Sequence, residues 1–221
     1  MKVYPVMLNI EGRLAVIIGG GAVAFRKAID LLEAGALVKI VSPEIFAELE
    51  QRASGDSRVE IVKREYRGGD LEGAWIVISA TDNPEVNREV FSEAVERKLF
   101  VNAVDDPPNC SFIVPSVMRR GDLVAAVSTS GASPSVAARI RRDIEKIIPE
   151  NIEAQLEAFR EARNILKNDS GFSGFDFKKR GEIIKKIGSD EALVEKLTES
   201  FKSGNLRQFI IELAFNRGLS E

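Results

Sequence analysis

A chain of 221 residues, 44% hydrophobic and 29% charged, is long enough to bury a substantial core and has the composition of an ordinary globular protein, which excludes a disordered or fibrous one. A net charge of −3 argues against a nucleic-acid-binding surface, and no run approaches the roughly 20 apolar residues of a membrane span. The lack of any histidine removes His-based triads, H-E-x-x-H zinc sites and imidazole general bases, so proton transfer falls to Asp, Glu, Lys, Tyr or Cys.

Met1-Lys2-Val3-Tyr4-Pro5 has no apolar core followed by a cleavage site, so no secretory signal is expected there. Residues 13–18 form an apolar, β-branched run that stops at three glycines and reads as a buried strand. Helical spacing of Val23, Ala24, Ala28, Leu31 and Leu32 predicts a helix over 22–34, ended by Gly35. Leu37–Val41 is the next strand, and Ser42-Pro43 breaks it before a short helix over 44–53 with Ile45, Phe46 and Leu49 inward. Strands at Val59–Lys63 and Trp75–Ser79, a helix from Pro84 to Arg97 and a strand over Leu99–Asn102 follow. This alternation predicts an α/β fold, a Rossmann-like doubly wound parallel sheet of about five strands.

After Pro107-Pro108 the pattern changes to strands at Phe112–Val114 and Leu123–Val127, separated by the turn Arg120-Gly121-Asp122, and a helix from Ser135 to about Ile148. Beyond Pro149 the chain reads as helical near 151–167, 177–187, 190–201 and 205–216, interrupted at 169–175. The expected organisation is a cofactor domain over 1–113, a small α+β unit over 114–148 and a helical domain over 149–221. The lone Cys110 fits a reducing compartment, so the cytoplasm is the expected location.

Gly19-Gly20-Gly21-Ala22-Val23-Ala24 matches G-x-G-x-x-A between a strand and a helix, the context that the dinucleotide-binding motif needs. Gly19 permits the tight turn, Gly21 lets backbone N–H groups approach a pyrophosphate, Ala24 permits close helix packing, and the helix N-terminus stabilises the anion. The acid expected about 20 residues on is Ser42, with Glu44 two positions later, which leaves Glu44 either as a ribose ligand or as a residue near the start of the next helix. Thr81 and Asp82 follow the fourth strand, where they line a cofactor cleft, cap the helix near Pro84, or both.

Asp105-Asp106 follows the last buried strand, where a carboxylate either accepts a proton beside a nicotinamide or caps a turn. Ser128-Thr129-Ser130-Gly131-Ala132-Ser133-Pro134 offers hydroxyls and N–H groups to an anion, and Arg139, Arg141 and Arg142 follow on a helix. Arginines bind carboxylates in a bidentate manner, so an anionic ligand suits this stretch; a capped helix with a solvated basic face is the other reading. No Cys or His cluster suited to a metal is present.

Read together, Gly-Gly-Gly-Ala-Val-Ala-x-Arg-Lys at 19–27, Ala-Thr-Asp at 80–82 with Val86-Asn87, Val-Asn-x-Val-Asp-Asp at 101–106 and Ser-Thr-x-Gly-Ala-Ser-Pro at 128–134 resemble the precorrin-2 dehydrogenase family, the siroheme synthase N-terminal module. The resemblance spans about residues 4–146. It implies NAD-linked removal of two hydrogens from precorrin-2 to give sirohydrochlorin, with Asp105 at the position of the family's catalytic aspartate. It implies that Ala22, Val23, Pro43 and Glu44 lie along the cofactor and that Ser128, Thr129, Ser133, Arg139 and Arg141 meet the tetrapyrrole carboxylates. It also implies a homodimer joined through about 114–148.

Some members of the family also insert iron, but the missing histidines make that the weaker expectation here. Ser130 stands where many relatives carry glycine, and Ala138 occupies an often basic place. The stretch after the resemblance leaves no room for an attached methyltransferase, so methylation is expected from another protein. The competing reading is an NAD-sensing Rossmann module without chemistry.

Overall fold

Five short β-branched runs, each closed by a helix or a buried connection, build the parallel sheet in a computed structural model that describes residues 2–104 and 106–215. Strands β1 (Leu14–Ile18), β2 (Leu37–Val41), β3 (Val59–Val62), β4 (Ile76–Ser79) and β5 (Phe100–Ala103) pair in the order β3-β2-β1-β4-β5, all parallel. Side chains alternate between faces along a strand, so each strand feeds two cores. Ala15, Ile17, Val38, Ile40, Ile76 and Ile78 meet α1 (Ala22–Glu33) through Ala24, Ala28, Leu31 and Leu32, with Leu49 of α2 (Ala47–Gly55) in the same core. On the other face Val16, Ile18, Val41, Val77 and Val101 meet Val90 and Ala94 of α3 (Pro84–Glu96), with Leu71 and Ala74 from the connection between β3 and β4. Each fully buried Val, Leu or Ile contributes about 1.5–3 kcal/mol.

Most of the predicted elements stand with shifted ends. The second helix begins at Ala47 rather than 44, and Phe46 is its extended N-cap residue, half-exposed and tilted against Phe25. Trp75 precedes β4 instead of opening it and is 41% exposed, with the Arg13 guanidinium stacked 4.3 Å from its ring. The expected strand at Phe112–Val114 is a correction. Ser111 N–H donates to Val101 O (2.8 Å) and the Asn102 side chain to Phe112 O (3.0 Å), which fastens this segment along β5 without a ladder. The hairpin partner of β7 (Leu123–Val127) is instead β6 (Ser116–Arg120), because the two-residue loop Gly121-Asp122 sets Arg120 opposite Leu123 and the pairing runs back from there. Gly121, at φ +54°, takes the left-handed first position of that loop.

The connection from β3 to β4 is locked by a buried carboxylate. Asp70, 6% exposed, accepts both Arg64 Nη atoms at 2.7 Å and the Arg67 N–H at 2.9 Å, and Lys39 Nζ stands 3.8 Å away. The Arg64 hydrogen bonds, against the cost of burial and with the help of Arg67, hold the Asp70 carboxyl below the usual range, and the Arg58 side chain and N–H hold Asp56 at about 2. Both folded values lie below the unfolded carboxyl value of about 3.9, so these groups add stability above that pH and lose it as pH falls through the folded values. Unfolding free energy is therefore expected to drop from about pH 4 downward. Asp70→Asn should cost about 1–2 kcal/mol near neutral pH, less than a fully buried pair because Arg64 is 33% exposed, and should flatten part of the acid slope. Urea titrations at several pH values test this; equal acid slopes in both proteins would mean that acid breaks something else.

By contacts the chain divides into two units: one runs to Val114 and includes Thr129–Ser133, and the other comprises Pro115–Ser128 and the chain from Pro134 onward. In the second unit the β6–β7 hairpin packs on α4 (Pro134–Ile147). The remainder is helical: α5 (Ile152–Asn168), α6 (Phe177–Gly188), α7 (Glu191–Lys202) and α8 (Leu206–Phe215). Ala158, Ala162 and Leu166 recur every fourth residue on α5 and pack with Phe172, Ile183, Ile187, Leu197, Leu206 and Ile210. The side chains of Asp176 and Asp190 cap α6 and α7, accepting from Lys179 N (2.7 Å) and Leu193 N (3.2 Å). Among the described residues no helix is long and apolar enough to cross a membrane.

Candidate functional site

Because β1 lies between β2 and β4, the crossovers leave it in opposite directions and a crevice opens above its carboxyl end, the place where ligands bind in such sheets. The glycine loop occupies that position. Gly19, at φ +112°, sits so close to the chain after β4 that an added Cβ would lie 2.2 Å from Ala80 O. Gly20 is pressed on the other side: its Cβ would lie 2.1 Å from Glu44 O, and Gly20 O accepts the Phe46 N–H at 2.8 Å.

Gly21 differs from both. It is exposed, at φ −82°, and nothing lies within 4 Å of a Cβ placed there. As the N-cap residue of α1 it supplies no side-chain cap, and the first-turn N–H groups of a helix have no intrahelical partners. The space beside Gly21 and these N–H groups form a cradle for an anion, which fits the pyrophosphate of a dinucleotide. Ala22 is exposed and Val23 half-buried at the same helix end.

The turn after β2 is built from the sequence's missing acid. Ser42, 7% exposed, donates its hydroxyl to Glu44 O at 2.7 Å, so this side chain fastens the turn against Gly20 and is committed away from a ribose. Pro43 and the Glu44 side chain remain exposed on the outside of that turn. Across the loop from them, Thr81 is half-buried, and its hydroxyl accepts the Asn83 N–H at 3.2 Å. The cap of α3 is Asn83, which accepts from Glu85 N (2.9 Å) and Val86 N (3.4 Å), rather than Thr81 or Asp82. The structure thus brings Gly19, Gly21, Ala22, Val23, Pro43, Glu44 and Thr81 to one edge of the sheet through the contacts that the glycine loop makes on both sides.

Two residues named in the sequence prove to be supports of this edge, a role that their positions alone did not show. Asn87 accepts the Ser79 hydroxyl (2.6 Å) and donates to Thr81 O (3.1 Å), tying α3 to the carboxyl end of β4. Cys110 Sγ donates to Ala103 O (3.2 Å) and Asp106 O (3.3 Å) and lies 3.5 Å from the Asn102 amide nitrogen. Burial pushes the Cys110 thiol up, so it acts as a hydrogen-bond donor rather than a nucleophile. Asp106 is likewise engaged: its Oδ2 accepts from the Asn109 side chain at 2.7 Å. Asp105, the candidate proton acceptor, lies outside the described residues.

The serine-rich stretch folds into a tight turn. The Thr129 hydroxyl accepts Ser133 N and donates to Ser133 O, both at 3.0 Å, which brings these two predicted residues together; Ser128 is exposed at the end of the hairpin. Ser130 adopts φ +54° and Gly131 φ +88°, so Ser130 occupies a left-handed position that favours glycine. Arg139 and Arg141, both on α4, stand roughly 200° apart around the helix axis and present to different sides. Arg139 is exposed; Arg141 is half-buried, with Nη1 2.5 Å from Glu145 Oε2 and a buried Nε that has no partner among the described residues.

Comparison with known proteins agrees with this geometry. An NAD(P)-binding family matches residues 6–116, and the central region of sirohaem biosynthesis proteins matches residues 120–147. The chain is 41% identical over 152 residues to siroheme synthase of Photorhabdus laumondii, covering 69% of this chain and 32% of that protein. It is 40% identical over 150 residues to siroheme synthase of Acinetobacter baylyi, covering 67% and 33%. The chain therefore spans about a third of the length of these curated relatives. Among solved structures, "SirC, precorrin-2 dehydrogenase" superposes with a TM-score of 0.75 over 96% of this chain and 98% of that one, at 23% identity, a likeness of fold.

Proposed function

We propose, from the premise that this chain belongs to the NAD(P)-binding family matched over residues 6–116, that it is an NAD-dependent dehydrogenase converting precorrin-2 to sirohydrochlorin, a reading that the match of residues 120–147 to the central region of sirohaem biosynthesis proteins supports. The observation that carries this reading is the division of labour in the glycine loop: Gly19 and Gly20 are sealed by backbone on both sides, while Gly21 leaves an open cradle at the start of α1. That arrangement holds a dinucleotide by its pyrophosphate, with Ala22 and Val23 beneath it and Pro43, Glu44 and Thr81 along its sides. The bound nicotinamide supplies the hydride acceptor.

The chain supplies positioning and proton transfer. Dehydrogenation removes a hydride and a proton; the hydride leaves the substrate carbon and the Asp105 carboxylate assists loss of the proton. Ser128, Thr129, Ser133, Arg139 and Arg141 hold the tetrapyrrole's carboxylates, which suits the bidentate grip of a guanidinium on a carboxylate. Iron insertion is at most a weak second activity in a chain without histidine.

We read 1–113 as the cofactor domain, 114–148 as the dimerisation unit of a homodimer and 149–221 as a helical domain, working in the cytoplasm. The apolar stripe of α4 supports the homodimer: Val136, Ile140 and Ile147 are 36%, 39% and 77% exposed, and Val117 of β6 is 40% exposed in the same unit.

The test is anaerobic: precorrin-2 is generated, the protein and NAD are added, and NADH is followed together with sirohydrochlorin absorbance. Matched appearance of both is expected. Tight NAD binding without turnover would replace this reading with the cofactor-sensing module.

A further inference from the structure

Within the helical unit a cleft of 720 Å³ opens between the start of β7, α5 and the end of α6, a size within the roughly 300–1,000 Å³ of small-molecule sites. Its walls carry Leu123, Leu156, Phe159 and Ile184, and its cations are Arg160, Arg163 and Lys185. Leu156, Phe159, Arg160 and Arg163 recur at helical spacing on one face of α5, so the apolar floor and the positive rim are one surface. Arg160 is paired with Asp122, the acid among the lining residues, whereas Arg163 and Lys185 make no ion pair among the described residues. Gly188 lies at the edge of the cleft, and a Cβ there would stand in ordinary contact, 3.7 Å from Phe159 Cζ.

We infer that this cleft is a second binding site for the tetrapyrrole polycarboxylate, one that holds the macrocycle on its apolar floor and its carboxylates on Arg163 and Lys185. An apolar body ringed by anions is the ligand that such walls and rim complement. The inference rests on the proposed dehydrogenase only for the choice of anionic amphiphile. None of the residues assigned to substrate there lines the cleft. Leu123 is separated from Ser128 by the length of β7, roughly 16 Å of extended chain. The site would keep product bound to the protein after the reaction and deliver it to a following tetrapyrrole-modifying step.

The experiment titrates the full chain with uroporphyrin, a stable polycarboxylate macrocycle, by porphyrin fluorescence anisotropy. It compares wild type with Arg163→Glu/Lys185→Glu and with Gly188→Leu, all at exposed positions, after thermal melts show unchanged folding. Wild type is expected to bind in two classes of site. Charge reversal should weaken one class at least tenfold, and Gly188→Leu should weaken the same class by filling the cleft without changing charge, while NADH production from precorrin-2 stays at the wild-type rate.

Porphyrin binding unchanged in both variants overturns the inference whatever the dehydrogenase assay reads. A loss of turnover in step with the loss of binding also overturns it, since the cleft would then be the reaction site. A weakened class in a protein that produces no NADH upholds the cleft and removes the dehydrogenase reading alone.

Discussion

Gly19→Ala is expected to destabilise the protein by about 4 kcal/mol and to abolish NAD binding with it. Two effects add. The new Cβ would stand 2.2 Å from Ala80 O and 2.6 Å from the Ala80 carbonyl carbon, both backbone atoms that cannot swing aside, and such overpacking costs about 1–3 kcal/mol. Position 19 also holds φ +112°, outside the regions open to a side-chain-bearing residue, at a further cost of about 1–3 kcal/mol. That sum is a large part of a typical stability of about 5–15 kcal/mol.

Gly21→Ala is the control that separates folding from binding. Its Cβ meets nothing within 4 Å, so stability should change by less than about 0.5 kcal/mol. The same methyl group intrudes on the anion cradle, so NAD should bind at least about tenfold more weakly, about 1.4 kcal/mol. Chemical denaturation and NAD calorimetry on both variants measure the two effects. A wild-type melt for Gly19→Ala, or unchanged affinity for Gly21→Ala, would show that the loop has another purpose.

Asp105→Ala should lower precorrin-2 turnover by about 10²–10⁴-fold, the worth of a positioned general base, while the NAD dissociation constant stays within about twofold. The adjacent carboxylate is the informative comparison. Asp106 Oδ2 is held by the Asn109 side chain at 2.7 Å, and Asp106 O accepts Asn109 N at 3.0 Å, so this residue shapes the loop. Asp106→Asn should therefore retain most of the turnover. Single-turnover NADH formation on both variants decides the assignment: equal losses would make the pair act as one unit, and full activity in Asp105→Ala would end the proton-acceptor role.

The strand, the glycine triplet and the following helix were legible because each is written in neighbouring residues: β-branched runs for strands, apolar residues at helical spacing for α1, glycine and proline at the breaks. The same local grammar put the Phe112–Val114 strand in the wrong place. An apolar run looks the same whether it forms a ladder or lies along a sheet edge, and only the pairing of Arg120 with Leu123 across Gly121-Asp122 fixes the hairpin.

Gly20 shows the limit most clearly. In the motif it is a freely variable position, yet the backbone of Glu44, brought in by the β2–α2 turn, leaves no room for a Cβ there. Ser42 reads as a missing ribose ligand and proves to be the fastener of that same turn. Arg139 and Arg141 read as one basic cluster, and the helix sends them to different sides. The sequence by itself determined most of the strands and helices, and that the turn after the first strand suits a dinucleotide, since these are written in neighbouring residues, and the alternation of strand and helix implied the doubly wound sheet. Tertiary structure alone decided which glycines are sealed and which is open, and which hydroxyls and carboxylates are already committed, because those outcomes are set by backbone atoms and side chains from segments distant in sequence.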